Sequence, residues 1–183
     1  MRCTEIKRET KETQIQLQLN LDGSGVFQGS SGIGFFDHML TAFAVHGGFD
    51  LTLTMQGDLE VDGHHSVEDV GIVLGQAFAK VLDKRQIQRF GSFYVPMDEA
   101  LAFCALDVSG RPYLVFDAAF SNPSVGALDC CLVEEFFRAF AMHSGITLHI
   151  RLEYGSNDHH KIEAIFKAVA HALQQAAALR EGN

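Results

Sequence analysis

Two stretches of this chain repeat one another, and a repeat constrains a fold more than any single local pattern does. Thr41-Ala42-Phe43-Ala44-Val45-His46 answers to Arg138-Ala139-Phe140-Ala141-Met142-His143, displaced by 97 residues. Gly63-His64-His65-Ser66-Val67-Glu68 answers to Asp158-His159-His160-Lys161-Ile162-Glu163, displaced by 95. A chain written twice in this way is expected to build two like units.

The periodicities inside each copy agree. Residues 13–21 alternate polar and apolar side chains, the period-2 pattern of a half-buried strand, and Asn20-Leu21-Asp22-Gly23 supplies a turn. Residues 26–30 read as a second strand, 35–46 as a helix stopped by Gly47-Gly48, 49–56 as a strand and 66–82 as a long helix. The second copy predicts strands at 100–108 and 112–117, a helix at 131–143, a strand at 146–154 and a helix at 160–179. The expected fold is therefore α+β, with duplicated β-β-α-β-α halves at 1–83 and 84–183, small sheets packed on helices in two layers, and a linker at 83–88. One such unit leaves an apolar sheet face open, so the halves, and several chains, are expected to pack together.

Composition narrows the function. The chain has 183 residues, enough for a real core, and no apolar run near the roughly 20 residues that span a bilayer. The N-terminus lacks the apolar region of a signal peptide, so a cytoplasmic location is expected. A net charge of -9 without a basic run argues against nucleic acid and toward a small ligand. Cys3, Cys104, Cys130 and Cys131 form no disulfide framework or zinc spacing and read as reduced core residues. Of nine histidines, four stand in two adjacent pairs.

Each His-His-x-x-Glu opens a predicted helix, where the Glu shares the face of the two histidines. Adjacent histidines diverge by about 100° on a helix, so each pair is expected to split between two ions. A single such motif arises by chance, and a lone buried His is usually a hydrogen-bonded core residue. Two copies at matched places point to metal, with imidazole and carboxylate suiting Mn, Fe or Zn. The repeat also pairs His38 with Glu135 and His46 with His143 as candidates for the remaining ligands, and His149 is a further candidate on a strand. Arg89, Arg111 and Lys167 are isolated cations near these motifs, suited to an anionic group, although spacing alone favours reading each as an ordinary surface cation. The run Arg8-Glu9-Thr10-Lys11-Glu12-Thr13 reads as a solvated edge leading into a strand.

Over nearly its whole length the chain resembles the imidazoleglycerol-phosphate dehydratase family. The resemblance is carried by Arg8 to Thr13, Phe36-Asp37-His38-Met39-Leu40, Val61-Asp62-Gly63-His64-His65-Ser66-Val67-Glu68-Asp69, Met97-Asp98-Glu99-Ala100-Leu101, Asp107-Val108-Ser109-Gly110-Arg111-Pro112, and Asn157 through Lys167. It implies two manganese ions per active site, a fused two-half fold, and a 24-subunit shell with active sites between subunits. It implies metal ligands at His38, His64, His65, Glu68, Glu135, His159, His160 and Glu163, with position 135 commonly His in the family. It places His38 and His46 against substrate, Glu12 as the acid/base, and Arg89, Arg111 and Lys167 on the phosphate.

The implied reaction removes water from imidazole glycerol phosphate to give imidazole acetol phosphate in histidine biosynthesis. Its departing proton is not beside a carbonyl, so the substrate imidazole must be activated instead. Two departures bear on this. Gly63 stands where the family commonly has Asp, and the family's Pro-Ser-Ser/Thr-Lys-Gly tail, which helps hold phosphate, does not follow Leu179-Arg180-Glu181-Gly182-Asn183. From the residues alone two other readings stay open: a metal-dependent hydrolase, and a metal-binding shell protein without turnover.

Overall fold

The computed structural model describes residues 2–180. Met1 and residues 181–183, on which the reading of the chain's last residues falls, lie outside the described residues.

The first half runs β1 (Cys3–Glu9), β2 (Thr13–Asn20), β3 (Phe27–Ser30), α1 (Gly34–Gly47), β4 (Asp50–Gly57) and α2 (His64–Val81). The second runs β5 (Phe90–Met97), β6 (Ala100–Asp107), β7 (Tyr113–Asp117), a short hairpin of β8 (Ser124–Val125) and β9 (Leu128–Asp129), α3 (Cys131–Ser144), β10 (Thr147–Tyr154) and α4 (Asp158–Ala177). The sheets are wired alike, in the orders β1-β2-β4-β3 and β5-β6-β10-β7. In each, the first two pairings are antiparallel and the last, β3 on β4 or β7 on β10, is parallel. Duplication is thus present in topology as well as in sequence.

Each four-stranded sheet carries one strand beyond the expected order, β1 or β5, and the β8–β9 hairpin is a further addition to the second half. In β1 the exposed positions are Cys3, Glu5, Lys7 and Glu9 and the inward ones are only partly buried, so no apolar side marks it. Pairing of Glu9 with Gln14 through Cys3 with Asn20 nevertheless makes it a hydrogen-bonded edge, and Arg8 and Glu9 belong to it rather than to a solvated run. In β5 the buried positions are Gly91 and Val95, and its Pro96 is a strand breaker that an edge tolerates.

The alternation in β2 sorts cleanly, with Thr13, Ile15, Leu17 and Leu19 buried and the intervening residues out. Helix α2 covers β1 and β2, α4 covers β5 and β6, and the helices of the two halves meet as α2 on α3 and α1 on α4. The seam between the halves is aromatic: Phe36 meets Phe136 at 5.4 Å and Phe78 meets Phe140 at 5.4 Å, and Phe136 is backed by Phe166 of its own half, stacked at 5.3 Å. Close approach of α2 to α3 depends on Gly71 and Gly75, where a Cβ would lie 2.6 and 2.7 Å from the Phe136 and Phe140 carbonyl oxygens. Helices α1 and α3 end alike, on Gly48 and Gly145 in left-handed conformation.

The linker meets the last described residues, and Arg2 meets the end of α4 beside them. Arg180 N–H donates to the Gln86 carbonyl at 2.9 Å, Ile87 bridges Leu179, and the Arg2 guanidinium donates to the Ala177 carbonyl. Of the cysteines, Cys104 and Cys130 are buried, but Cys3 and Cys131 are exposed, so only two of the four are core residues; all are free. Among the described residues no helix is long and apolar enough to cross a membrane.

Candidate functional site

The eight residues expected as metal ligands all fall in the first two turns of a helix. His38 and Glu135 are each the fifth residue of a 14-residue helix, α1 and α3. His64, His65 and Glu68 open α2, and His159, His160 and Glu163 open α4. These helix starts gather at one end of the molecule. A Cβ on Gly63 would touch Ile33 at 3.0 Å and Leu132 at 3.4 Å, and the Phe35 ring lies 4.9 Å from that of His159.

Local sequence fixes the histidine pairs at these ends. The Asn157 side chain accepts from the backbone N–H groups of His159 and His160, at 2.9 and 3.3 Å, capping α4. Asp62 does the same for His64 N–H at 2.8 Å. The rings within each pair then splay, with interplanar angles of 78° for His64 and His65 and 75° for His159 and His160.

Among the described residues one cluster converges. His38 Nε2 and His159 Nε2 lie 3.2 and 3.1 Å from the same Glu163 oxygen, Oε2, and the three donor atoms all fall within 4.8 Å of one another. The other Glu163 oxygen is held by Lys167 Nζ at 2.7 Å. Burial pushes the Glu163 carboxyl up, but the Lys167 ammonium and then His38 outweigh it and leave the group below its ordinary range. Two imidazole nitrogens around an ionised carboxylate oxygen are a donor set that fits a borderline divalent cation.

The pseudo-equivalent cluster is looser. His64 Nε2 lies 3.4 Å from Glu68 Oε2. Glu135, the counterpart of His38, instead pairs with Arg138 Nε at 3.7 Å. The structure therefore brings His38, His159 and Glu163 together, and leaves Glu135 turned to its own helix.

His65 and His160 face carboxylates that sequence reasoning did not pick out. His65 Nδ1 lies 2.8 Å from Asp58 Oδ2, and His160 Nδ1 lies 2.7 Å from Glu99 Oε2. These hydrogen bonds raise both imidazoles above their usual pKa. The His160 bond, with the Asn157 N–H, draws Glu99 down to about 2. Met97-Asp98-Glu99-Ala100-Leu101 was visible as a motif without a role; Asp58, in a loop, carried no signal beyond standing seven residues before His65.

Glu12 occupies the β1–β2 turn at this same end. Thr10 Oγ1 shapes the turn by accepting from the N–H groups of Glu12 and Thr13, at 3.1 and 3.0 Å. Glu12 and Asp58 line one cleft of about 230 Å³, and the Glu12 charge contributes to raising His65.

The expected phosphate cations are not isolated. Lys167 is bound to Glu163, and Arg89 donates to Asp107 from Nε and Nη2 at 2.6 and 3.0 Å. Arg111, largely exposed, reaches the same Asp107 at 3.9 Å. Both arginines lie at the opposite end of the half: Gly110 N–H donates to the carbonyl of Gly145, the residue that ends α3.

The other histidines divide. His46, in the last turn of α1, meets His171 on α4, Nδ1 to Nε2 at 3.2 Å, and His171 stacks on Phe93 at 4.3 Å. Desolvation lowers both, with the Lys167 charge adding to the effect on His46, so the pair is neutral near pH 7. His171 went unnoticed in the sequence, since its repeat counterpart is Gln76. His143 Nδ1 donates to the Ala139 carbonyl of its own helix at 2.9 Å, and His149 is exposed on β10, away from the helix starts.

Fold and site together define a class: a duplicated α+β enzyme with its histidine and carboxylate groups collected at the starts of its helices. Comparison sharpens this. The imidazoleglycerol-phosphate dehydratase family profile matches residues 31–173. Imidazoleglycerol-phosphate dehydratase of Acetivibrio thermocellus is 59% identical over 94% of this chain and 89% of its own length. That of Caldanaerobacter subterraneus is 58% identical over 99% and 94%. The crystal structure of the Staphylococcus aureus enzyme superposes with a TM-score of 0.88 at 42% identity, covering 97% of this chain and 99% of that one. The Pyrococcus furiosus structure gives 0.83 at 35% identity over 96% and 95%. The chain belongs to the imidazoleglycerol-phosphate dehydratase family, and so to the hydro-lyases.

Proposed function

We propose that this chain removes water from imidazole glycerol phosphate to give imidazole acetol phosphate, a step of histidine biosynthesis, using two manganese ions per active site. The observation that carries the reading is the convergence of His38, His159 and Glu163 at the helix-start end, with Glu135, His64 and Glu68 at the positions that the repeat matches to them. His65 and His160 complete the ligand set. When bound, such ions supply Lewis acidity toward the substrate imidazole.

The chain's own groups do the rest. Glu12, in the open cleft beside Asp58, takes the proton from the carbon next to the one losing its hydroxyl. The departing hydroxyl and that proton make up the water lost, and the enol left behind becomes the ketone. His46, two helical turns after His38, contacts the substrate, and Lys167, Arg89 and Arg111 hold the phosphate.

These roles argue for sites shared between chains. Glu135 and the α3 terminus beside Arg111 are separated by most of a 14-residue helix, roughly 15 Å, and the other arginine is at that same far end. Cations that must meet a substrate at the helix starts are best supplied by a neighbouring copy, as in the 24-subunit shell that the resemblance implies. A biosynthetic role fits the cytoplasm.

The test is to incubate manganese-loaded chain with imidazole glycerol phosphate beside a chelated sample and follow the enolisable ketone. Metal-dependent ketone supports the proposal. Release of inorganic phosphate instead would favour a metal-dependent hydrolase, and bound metal with neither product a shell protein without turnover.

A further inference from the structure

The two halves repeat more than their ligands. In each, one histidine of the pair turns away from the helix's own glutamate and gives its Nδ1 to a carboxylate from outside that helix: His65 to Asp58 at 2.8 Å and His160 to Glu99 at 2.7 Å. Those carboxylates come from different places, the loop after β4 and the β5–β6 turn, so the likeness is one of chemistry rather than of copied sequence. In neutral imidazole, a nitrogen that donates to a carboxylate carries the proton, and the other nitrogen is left with its lone pair.

We infer that Asp58 and Glu99 are positioning residues that hold His65 and His160 in the Nδ1–H tautomer, which leaves Nε2 as the metal-ligating atom; beside His160 Nε2 stands only the exposed Asp98, whose Oδ2 is 3.5 Å away and free to swing aside. The inference rests on the metal reading proposed above.

The surroundings of each carboxylate support this. Glu99 is anchored before it meets the imidazole: Oε1 accepts from Asn157 N–H at 2.6 Å, Ser156 N–H at 3.1 Å and Ser156 Oγ at 3.3 Å, leaving Oε2 for His160. Because Asn157 also caps α4, one hydrogen-bonded unit sets the helix start, the ring's position and its tautomer. Asp58 shows the same commitment by a different route. Its Oδ2 bonds His65, while its Oδ1 is buried without a hydrogen-bond partner. A buried carboxylate oxygen without a partner is costly, and a group kept only to brace the loop would be expected to use both oxygens. What Asp58 does make is the bond to His65.

The deciding experiment is a titration with manganese alone, by calorimetry, on the full chain and on Asp58→Asn, Asp58→Ala and Glu99→Gln, with the melting temperature of each metal-free protein measured alongside. Asparagine can still accept the imidazole N–H, whereas alanine cannot, so Asp58→Asn should fall between the full chain and Asp58→Ala; in Glu99→Gln the one amide oxygen is claimed by the Asn157 and Ser156 donors, which turns the NH2 group toward His160 and breaks the bond. The expected result is manganese affinity lower by about 10- to 100-fold in Asp58→Ala and Glu99→Gln, with metal-free melting of the Asp58 variants unchanged. Affinity within twofold of the unsubstituted chain in both Asp58→Ala and Glu99→Gln would overturn the inference while leaving the metal reading intact. So would affinity losses that merely track a lowered melting temperature, which is the signature of a structural role. If the unsubstituted chain binds no manganese, the metal reading fails and this inference falls with it.

Discussion

Glu163 meets different demands on its two oxygens. Oε1 is tied to Lys167, and Oε2 faces the imidazoles of His38 and His159. Replacing it with Gln puts a neutral amide against a mostly buried ammonium. Glu163→Gln is therefore expected to lower metal-free stability by about 1–3 kcal/mol and to reduce bound manganese, to be read by urea denaturation and by elemental analysis. Unchanged metal content would remove Glu163 from the ligand set. Glu12 makes the opposite case, with an exposed side chain that braces nothing. Glu12→Gln should keep substrate affinity and stability while kcat falls by about 10²- to 10⁴-fold; a near-normal rate would exclude it as the acid/base. At this scale the sequence was legible where spacing is local. His-His-x-x-Glu announces itself within one helical turn, but the bond from His160 to Glu99 spans 61 residues and that from His46 to His171 spans 125, and no periodicity encodes either.

Elements were legible in proportion to how one-sided they are. The Ile15, Leu17, Leu19 alternation in β2 and the Gly47-Gly48 stop after α1 placed those elements within a residue or two. The edge strands β1 and β5 were missed because backbone pairing, rather than an apolar face, holds them in place. The glycines of α2 could be seen but not interpreted, since their reason is the carbonyl of another helix. At Gly75 two effects compete. Alanine gains about 1 kcal/mol of helix propensity, but its Cβ would sit 2.7 Å from the Phe140 oxygen and 3.0 Å from Ser144 N, backbone atoms that cannot swing aside. The clash should win, and Gly75→Ala is expected to destabilise by about 1–3 kcal/mol net. Gly34→Ala, whose Cβ meets nothing within 4 Å, should be neutral or slightly stabilising in the same denaturation series. Equal stability of the two variants would refute the close-packing account of α2 on α3.

For the whole molecule, the duplication was the most readable feature, and the distribution of charged groups along it was not. Sequence alone set Arg89 and Arg111 beside the histidine motifs; the structure sets them at the other end of the half, around Asp107. If active sites draw on neighbouring copies, chains defective at opposite ends should rescue one another. Arg111→Ala and His160→Ala, each inactive alone, are expected on co-assembly to recover up to about a quarter of full activity, the share of two-chain sites receiving both intact contributions. Strictly additive inactivity after verified mixing would place each site within a single chain.

The two ends of the described chain meet each other, and one of them meets the linker. Arg2 reaches the end of the last helix and Arg180 the segment that joins the halves, so the described residues nearly close a ring, and the order in which the halves are translated is not dictated by their packing. A circular permutant opened near Arg85, with a short Gly-Ser bridge from the last helix back to β1, should melt as a single cooperative unit close to the parent temperature. Loss of cooperativity would show that the linker steers the halves together during folding rather than merely tethering them.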